Sequence, residues 1–210
     1  VVQEHNGRFV RRMCMHCAHP TCESVCPVGA IHKLPSGPVV YDRDACMGCR
    51  YCLQACPFQA PAYEWDKLAP YVAKCDFCAA RQAVGQPPAC IEACPVAAAQ
   101  FGDRDELLAE AHRRIREKEN GVQYIYGEEE AGGTSVLFLS DVPFEQLGFI
   151  TSVGKYPLPG LSVTALNEAP MVATVGSALL AGLYWITQRR REVAEAEARD
   201  ASLGAAPQMH

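Results

Sequence analysis

The sequence predicts an α+β fold made of small repeated modules, followed by a helix-and-strand segment and one C-terminal helix that spans a membrane. Three observations indicate this organisation. All twelve cysteines of the 210 residues lie between Cys14 and Cys94. They form three units whose first members are 32 and 29 residues apart, which indicates an internal repeat. Beyond them, residues 169–187 are nineteen consecutive positions without a charged side chain.

Composition and charge exclude several classes of protein. Hydrophobic residues make up 49% of the sequence, which is enough for a packed structure and excludes disorder of the whole chain. The 24 acidic residues outnumber the 19 lysines and arginines and give a net charge of -5, so we expect no nucleic-acid partner. The sequence contains no nucleophile–base pair or dinucleotide glycine motif, so we do not expect it to encode an enzyme by itself.

The three cysteine units share a Cys-x2-Cys start and a Cys-Pro end. They are Cys14-x2-Cys17-x4-Cys22-x3-Cys26-Pro27, Cys46-x2-Cys49-x2-Cys52-x3-Cys56-Pro57 and Cys75-x2-Cys78-x11-Cys90-x3-Cys94-Pro95. The second unit matches the bacterial ferredoxin run residue for residue, in which three thiolates bind one [4Fe-4S] cluster and the fourth binds the neighbouring cluster. We therefore predict tandem bacterial-ferredoxin-like [4Fe-4S] modules.

Ligand exchange between modules assigns the cysteines to clusters. The first cluster is expected to bind Cys14, Cys17, Cys22 and Cys56. The second cluster is expected to bind Cys46, Cys49, Cys52 and Cys26. The third unit has no partner unit in this sequence: a third cluster would take Cys75, Cys78 and Cys90 and lack a fourth ligand, and Cys94 would belong to a fourth cluster. Two clusters are therefore complete within the chain.

Two other interpretations of the cysteines remain open. Disulfides require an oxidising compartment and particular Cα separations, and Cys-x2-Cys pairs seldom close on themselves. Structural zinc also uses Cys-x2-Cys pairs, but it does not require a Cys-Pro end on every unit. A zinc-stabilised membrane adaptor without redox function is the alternative from a different functional class.

The predicted secondary structure outside the units is sparse. Pro38–Tyr41 is expected to form a short strand, and residues 103–119 a helix capped by Asp103 and stopped by Asn120-Gly121. A second strand is predicted over residues 134–139, and Pro157, Pro159 and Gly160 indicate a linker. The expected domains are iron–sulfur modules over 1–102, a segment packing on them over 103–160, a membrane helix over 166–188 and a tail over 189–210.

The uncharged stretch 169–187 is long enough to cross a hydrocarbon core of about 30 Å, which needs about 20 residues. Small residues at Ala173, Ser177 and Ala181 favour packing against another membrane helix. Arg189, Arg190 and Arg191 follow the stretch and predict a cytoplasmic C-terminus. We therefore expect a single-pass protein of the inner membrane with its cluster domain in the periplasm.

The cysteine units and the segments after them resemble the ferredoxin-type electron-transfer subunits of membrane-bound, quinone-linked nickel-iron hydrogenases and formate dehydrogenases. The segments that carry the resemblance are CMHCAHPTCESVCPVGAI, CMGCRYCLQACPF, KCDFC, PACIEACPVAA, FGDRDELL and GGTSVLFLSDVP, with the C-terminal helix behind them. The GGT segment looks closest to the subunit of quinone-reducing nickel-iron hydrogenase.

The resemblance implies an electron relay. Its expected partners are a periplasmic catalytic subunit, of nickel-iron hydrogenase or molybdopterin formate dehydrogenase type, and a quinone-reactive integral membrane subunit. A quinol-linked polysulfide or nitrite reductase with the opposite electron flow is the alternative. The family carries four [4Fe-4S] clusters, and the sequence starts at Val1 without a methionine or signal peptide. We therefore expect an N-terminal cysteine unit that is missing here and pairs with the third unit.

Overall fold

The computed structural model describes residues 2–67 and 70–204. The chain divides into two compact units, Val1–Gly160 and Leu161–His210. The first unit contains every cysteine and all the strands of the described residues. The described residues of the second unit belong to one long helix.

Four antiparallel hairpins supply the strands. They are β1 (Val2–His5) with β2 (Arg8–Arg11), β3 (Ile31–Lys33) with β4 (Val39–Tyr41), β5 (Ala62–Tyr63) with β6 (Val72–Ala73), and β7 (Tyr124–Tyr126) with β8 (Phe138–Ser140). The strand predicted at Pro38–Tyr41 is confirmed as β4, and it begins one residue later because proline has no N–H to donate. Two-stranded sheets are marginal alone, so each hairpin depends on its packing.

Four short helices alternate with the first three hairpins. They are α1 (Thr21–Ser24), α2 (Tyr51–Ala55), α3 (Ala79–Gln82) and α4 (Ala89–Glu92). Helices α1, α2 and α4 carry the third cysteine of their units, Cys22, Cys52 and Cys90, and each ends directly before the Cys-Pro pair or one residue earlier. The sequence repeat is therefore also a repeat of local structure.

Helix α5 (Arg104–Glu117) confirms the predicted helix and its cap. The Asp103 carboxylate accepts hydrogen bonds from the amides of Asp105 (2.8 Å) and Glu106 (3.4 Å). The helix ends two residues earlier than predicted, about half a turn before the expected stop at Asn120-Gly121. Lys118 takes the left-handed conformation and ends the helix, and residues 119–121 form a 3₁₀ turn.

The strand predicted over residues 134–139 is only partly right. Regular pairing in β8 covers Phe138–Ser140, whereas Thr134 forms an isolated bridge with Cys17. The hydroxyl of Thr134 donates to backbone carbonyls at Gly127 (2.9 Å) and Val136 (2.7 Å), and the side chain is fully buried. The segment around Thr134 therefore lies along the first cysteine unit and does not extend the hairpin of β7 and β8.

Two hydrophobic clusters form the core of the first unit. One combines residues from β2, the first cysteine unit and the 126–149 segment: Val10, Met15, Tyr126, Phe144, Leu147 and Phe149. The other combines residues from β3, β4, α2 and β6: Ile31, Val39, Cys52 and Val72. Cysteine sulfur is thus part of the core itself.

Helix α6 (Leu158–Gly204) is 47 residues long. The linker predicted at Pro157, Pro159 and Gly160 is therefore wrong for the last two residues, which lie in the first turn of α6, where a missing proline N–H costs no internal hydrogen bond. The separate tail predicted from residue 189 is likewise helical up to Gly204.

Among the described residues, α6 is the one helix with the length and composition to cross a membrane, over Leu158–Asp200. None of its most apolar window is buried within the chain. Leu179, Leu183 and Trp185 are each at least 60% exposed. An apolar helix surface of this extent requires a lipid or protein environment.

Candidate metal centres

The start of each cysteine unit has the same backbone turn. The residue two positions after the first cysteine has a positive φ in all three units: His16 (47°), Gly48 (75°) and Phe77 (59°). The turn directs the amide of that residue at the first thiol, with N to Sγ distances of 3.4 Å for both Gly48 to Cys46 and Phe77 to Cys75. The His16 amide makes the same contact with the first thiol of its unit.

The Cys-Pro end of each unit also repeats. The residue three positions after the last cysteine has a positive φ: Gly29 (65°), Gln59 (50°) and Ala97 (48°). Its amide bonds the carbonyl of that cysteine at 3.2–3.3 Å in every unit. Positive φ strains residues other than glycine, so the surrounding structure must hold these turns in place.

The turn at the end of the unit also aims an amide at the last thiol. The Ala60 amide lies 3.5 Å from Cys56 Sγ, and the Ala98 amide lies 3.3 Å from Cys94 Sγ. Amides that point at cysteine sulfur stabilise negative charge there and are one of the means by which proteins tune iron–sulfur clusters.

One cavity is lined by four thiols from two different units. It is partly open to solvent, and its other walls are mainly apolar. The thiols come from Cys46, Cys49 and Cys52 of the second unit and Cys26 of the first unit. Burial raises the pKa of Cys52, and the charges of the three other thiols act in the same direction.

A second group of four thiols lies around the first unit. Burial raises the pKa of Cys17 to about 12, with further contributions from Cys14, Cys56 and Cys22. Burial also raises the pKa of Cys22 to about 12, again with contributions from Cys14 and Cys56. Because these thiols resist ionising together, the group holds four thiolates only if positive charge lies among them. The iron of a [4Fe-4S] cluster supplies such charge.

The thiols of the third unit lie in a different environment. Burial raises the pKa of Cys75, whose other neighbours include Cys14 of the first unit. Cys94 is partly exposed, and the amides of Ala98 and Val96 lower the pKa of its thiol. Cys78 and Cys90 are partly buried. The first eight predicted ligands therefore lie in two groups of four, each combining thiols of the first and second units.

His16 is a buried side chain that fits a neighbouring metal cluster. Its relative exposure is 0%, and its Nδ1 accepts a hydrogen bond from the Val39 amide at 2.9 Å. The ring proton is therefore on Nε2, which has no hydrogen-bond partner among the described residues. A buried donor without a partner costs about 1–3 kcal/mol, so a missing acceptor is expected nearby. Sulfur of a cluster bound by Cys14 and Cys17 is an acceptor of the right kind.

Two lysines lie beside the first group of thiols. Lys33 donates to the carbonyl of Cys17 at 2.7 Å, and Lys74 donates to the carbonyls of Val39 and Cys75 (3.0 Å). The Lys74 side chain is partly buried. The signal that could have identified it is its place immediately before a Cys-x2-Cys pair.

Sequence reasoning missed how residues 133–136 cover the first unit. Ala18 donates to the Gly133 carbonyl (2.9 Å), and the amides of Ser135 and Val136 donate to the carbonyls of His16 (3.0 Å) and Met15 (3.2 Å). These bonds protect the first Cys-x2-Cys loop from solvent. The Gly-Gly-Thr sequence permits the close approach, since Gly133 has a φ of 93° and its neighbour Thr134 is small.

Within the described ranges 2–67 and 70–204, no group of three His, Cys, Asp or Glu side chains is arranged to hold a single metal ion.

Comparison with known proteins agrees with this geometry. Residues 5–104 match the model of the 4Fe-4S dicluster domain. The cofactors are therefore [4Fe-4S] clusters, as the cysteine units predict.

The chain is also similar to three curated proteins. A protein of Nitratidesulfovibrio vulgaris (strain Hildenborough) is 41% identical over 195 residues, which are 92% of this chain and 53% of the relative. The hydrogenase-2 operon protein HybA of Escherichia coli O157:H7 is 41% identical over 173 residues, 69% of this chain and 53% of the relative. YnfG of Escherichia coli K12, a probable component of an anaerobic dimethyl sulfoxide reductase, is 50% identical over 113 residues, 50% of this chain and 54% of the relative.

The chain thus spans about half the length of the curated relatives it matches.

Proposed function

We propose that the chain relays single electrons between a periplasmic catalytic subunit and a quinone-reactive subunit in the membrane. The observation that carries the proposal is the crossing of cysteines between units: Cys26 lines the cavity of the second unit, and Cys56 lies among the thiols of the first. Crossed ligands hold two clusters side by side, which is what a relay requires.

The proposed ligand sets follow these two groups. One cluster is bound by Cys14, Cys17, Cys22 and Cys56, and the other by Cys46, Cys49, Cys52 and Cys26. Cys75, Cys78 and Cys90 are proposed to bind a third cluster whose fourth ligand lies outside these residues, and Cys94 a fourth cluster. The repeated turns at both ends of the units support a tandem ferredoxin-like arrangement.

A bound [4Fe-4S] cluster supplies reversible one-electron chemistry. The residues of this chain supply the surroundings. Amides of Gly48 and Ala60 point at the thiols of Cys46 and Cys56 and stabilise negative charge on sulfur. Apolar side chains such as Ile31 and Val72 line the cavity of the second unit and limit the access of water.

Helix α6 is proposed to anchor the relay in the inner membrane. Its span from Ala169 to Thr187 has no charged residue, and Arg189–Arg191 follow it. The excess of positive charge on the C-terminal flank favours a cytoplasmic C-terminus and a periplasmic cluster domain. Ala173, Ser177 and Ala181 are proposed to face a helix of the membrane subunit. Protease added to intact spheroplasts should digest the cluster domain and spare the C-terminal end; the reverse pattern would contradict this orientation.

Two classes of catalytic partner are supported by different relatives. Similarity to the hydrogenase-2 operon protein favours a hydrogenase, with electrons passing to quinone. Similarity to the dimethyl sulfoxide reductase relative YnfG favours the opposite direction, from quinol to a reductase. The hydrogenase-2 match covers more of this chain, so hydrogen oxidation is the first candidate. Affinity purification from the native membrane should recover a nickel-containing large subunit; recovery of a molybdenum-containing one would contradict the first candidate.

Metal analysis tests the relay itself. The anaerobically reconstituted chain should contain about eight iron and eight sulfide ions for two complete clusters, at four of each per cluster. Its broad visible absorption should bleach with dithionite, and the reduced chain should give an electron paramagnetic resonance signal. A colourless zinc-containing protein, with no reducible chromophore, would refute the proposal.

A further inference from the structure

Lys74 lies at the junction between the first and third cysteine units. It directly precedes Cys75, whose carbonyl accepts a hydrogen bond from its Nζ at 3.0 Å. Its Nζ also donates to the carbonyl of Val39 in β4. Yet its charge acts on thiols of the first unit: burial raises the pKa values of Cys14 and Cys22, and Lys74 opposes both shifts.

Val39 connects this lysine to His16. Its carbonyl accepts from Lys74, and its amide donates to His16 Nδ1 at 2.9 Å. Val39 is 1% exposed, so both bonds are shielded from water. The same residue therefore holds the cation in place and fixes the imidazole tautomer whose Nε2–H has no acceptor in the part of the chain that the structure describes.

His16 also contacts the third unit directly. Its ring stacks on Phe77 with centroids 4.5 Å apart and planes inclined by 14°. His16 and Phe77 occupy equivalent positions, two residues after the first cysteine of their units. This stack and the Lys74 contacts hold the two loops together at one point, beside the thiol of Cys14.

We propose that Lys74 and the Nε2–H of His16 raise the reduction potential of the cluster bound by Cys14, Cys17 and Cys22, and so set this cluster apart from its neighbour. The inference rests on the proposed electron relay. Reduction adds one negative charge to the cluster, and a cation and a hydrogen-bond donor held in a poorly hydrated site stabilise that charge. Lys74 and His16 thus act on the reduction potential of the cluster.

The cavity of the second unit, lined by Cys46, Cys49, Cys52 and Cys26, has a cation in a different environment. Arg50 lies on its rim and is exposed, with its guanidinium 4.6 Å from the ring centre of Tyr63 and 4.4 Å from that of Trp65. Solvent screens an exposed cation, so Arg50 should shift the potential of its cluster less than Lys74 shifts that of the first.

The test is a redox titration, followed by electron paramagnetic resonance, of the full chain and three variants. Lys74→Gln keeps a hydrogen-bond donor and removes the charge, and Lys74→Arg keeps the charge. Lys67→Gln is the matched control, since Lys67 is exposed and paired with Glu64 at 2.6 Å. The signal of the first cluster is assigned as the one lost or altered in Cys22→Ser.

We expect Lys74→Gln to lower the reduction equilibrium constant of the first cluster by about tenfold, which is about 59 mV for one electron. Lys74→Arg and Lys67→Gln should leave it within about twofold of the parent chain. Equal potentials in Lys74→Gln and the parent, at full iron content, would overturn the role of Lys74. If Lys74→Gln loses iron, Lys74→Met is titrated at whatever occupancy it retains, and the same comparison decides.

His16 has an independent spectroscopic test. In the reduced chain with ¹⁵N-labelled histidine, pulsed electron paramagnetic resonance should detect a coupled imidazole nitrogen, and His16→Leu should lose it. No coupling in the parent chain would overturn the role of His16. Failure of the proposed relay would give a different result, because a chain without clusters would show no cluster signal to titrate even in the parent.

Discussion

The first and third cysteine units have the same local turns but different surroundings. Both aim an amide at their first thiol, from His16 and from Phe77, and both end in a Cys-Pro turn. In the first unit, Cys14 is 8% exposed and residues 133–136 bond to the loop around it. In the third unit, Val96 beside Cys94 is 78% exposed. A short repeat thus determines where the amides point, whereas the burial of the thiols depends on distant parts of the chain.

Loss of a crossed ligand should have the largest effect. We expect Cys56→Ser to damage the cluster bound by Cys14, Cys17 and Cys22, with a loss of up to about four iron per chain. Cys94→Ser is the control because it changes the same position of the third unit, and both complete clusters should persist. Iron analysis and paramagnetic resonance measure the outcome. Loss of the cluster of Cys46, Cys49 and Cys52 would contradict the crossing.

Removal of an aromatic side chain from the core beneath the first unit should have the next largest effect. Phe144 is 5% exposed and packs on Tyr126 and Phe149, with ring centres 5.2 and 5.0 Å away. Phe144→Ala should lower the free energy of unfolding by about 3–5 kcal/mol through cavity formation. Phe101→Ala, at a 43% exposed ring near the third unit, should cost clearly less. Denaturant titration of both variants decides, and equal losses would remove the contrast between the regions.

The third prediction concerns Gly127, which permits the close approach of residues 133–136, the segment that covers the first unit. A Cβ on Gly127 would lie 2.3 Å from the Val136 carbonyl oxygen and 2.6 Å from Thr134 Oγ1, and the residue has a φ of 102°. Gly127→Ala should therefore cost about 3 kcal/mol. Gly85, between α3 and α4, also has a positive φ but open space around it, so Gly85→Ala should cost about 1 kcal/mol. Thermal unfolding midpoints in the reverse order would be incompatible with this packing.

The cap of α5 should have the smallest effect. Asp103→Ala removes the acceptor for the amides of Asp105 and Glu106 and should cost about 1 kcal/mol. Asp103→Asn, which retains an acceptor, serves as the control and should cost less. Both should leave the potentials of the two complete clusters unchanged, because the cap lies outside their ligand sets. A changed potential in Asp103→Ala would show that α5 influences the cluster region.

Sequence reasoning predicted what depends on spacing. The Cys-Pro repeats, the strand at Val39–Tyr41 and the Asp103 cap are local patterns with local physical causes. It could not predict that Thr134 pairs with Cys17, because that contact joins residues more than 100 positions apart. The partly buried position of Lys74 depends on a carbonyl of Val39, 35 residues earlier, and such packing leaves no periodic signal.

The long helix illustrates another limit. Pro159 and Gly160 indicated a linker because both residues commonly break helices, but the first turn of α6 tolerates them. The charged residues after Thr187 suggested a separate tail, yet they continue the helix as a polar extension. The side chains become charged from residue 189 on, but the backbone stays helical.

In the proposed relay, each complete cluster takes one cysteine from the other unit. The most direct test is an iron-edge anomalous diffraction map of the iron-loaded chain. We predict one four-iron peak within bonding distance of Cys14, Cys17, Cys22 and Cys56, and another beside Cys46, Cys49, Cys52 and Cys26. A map in which Cys56 binds the same cluster as Cys46, Cys49 and Cys52 would contradict the account.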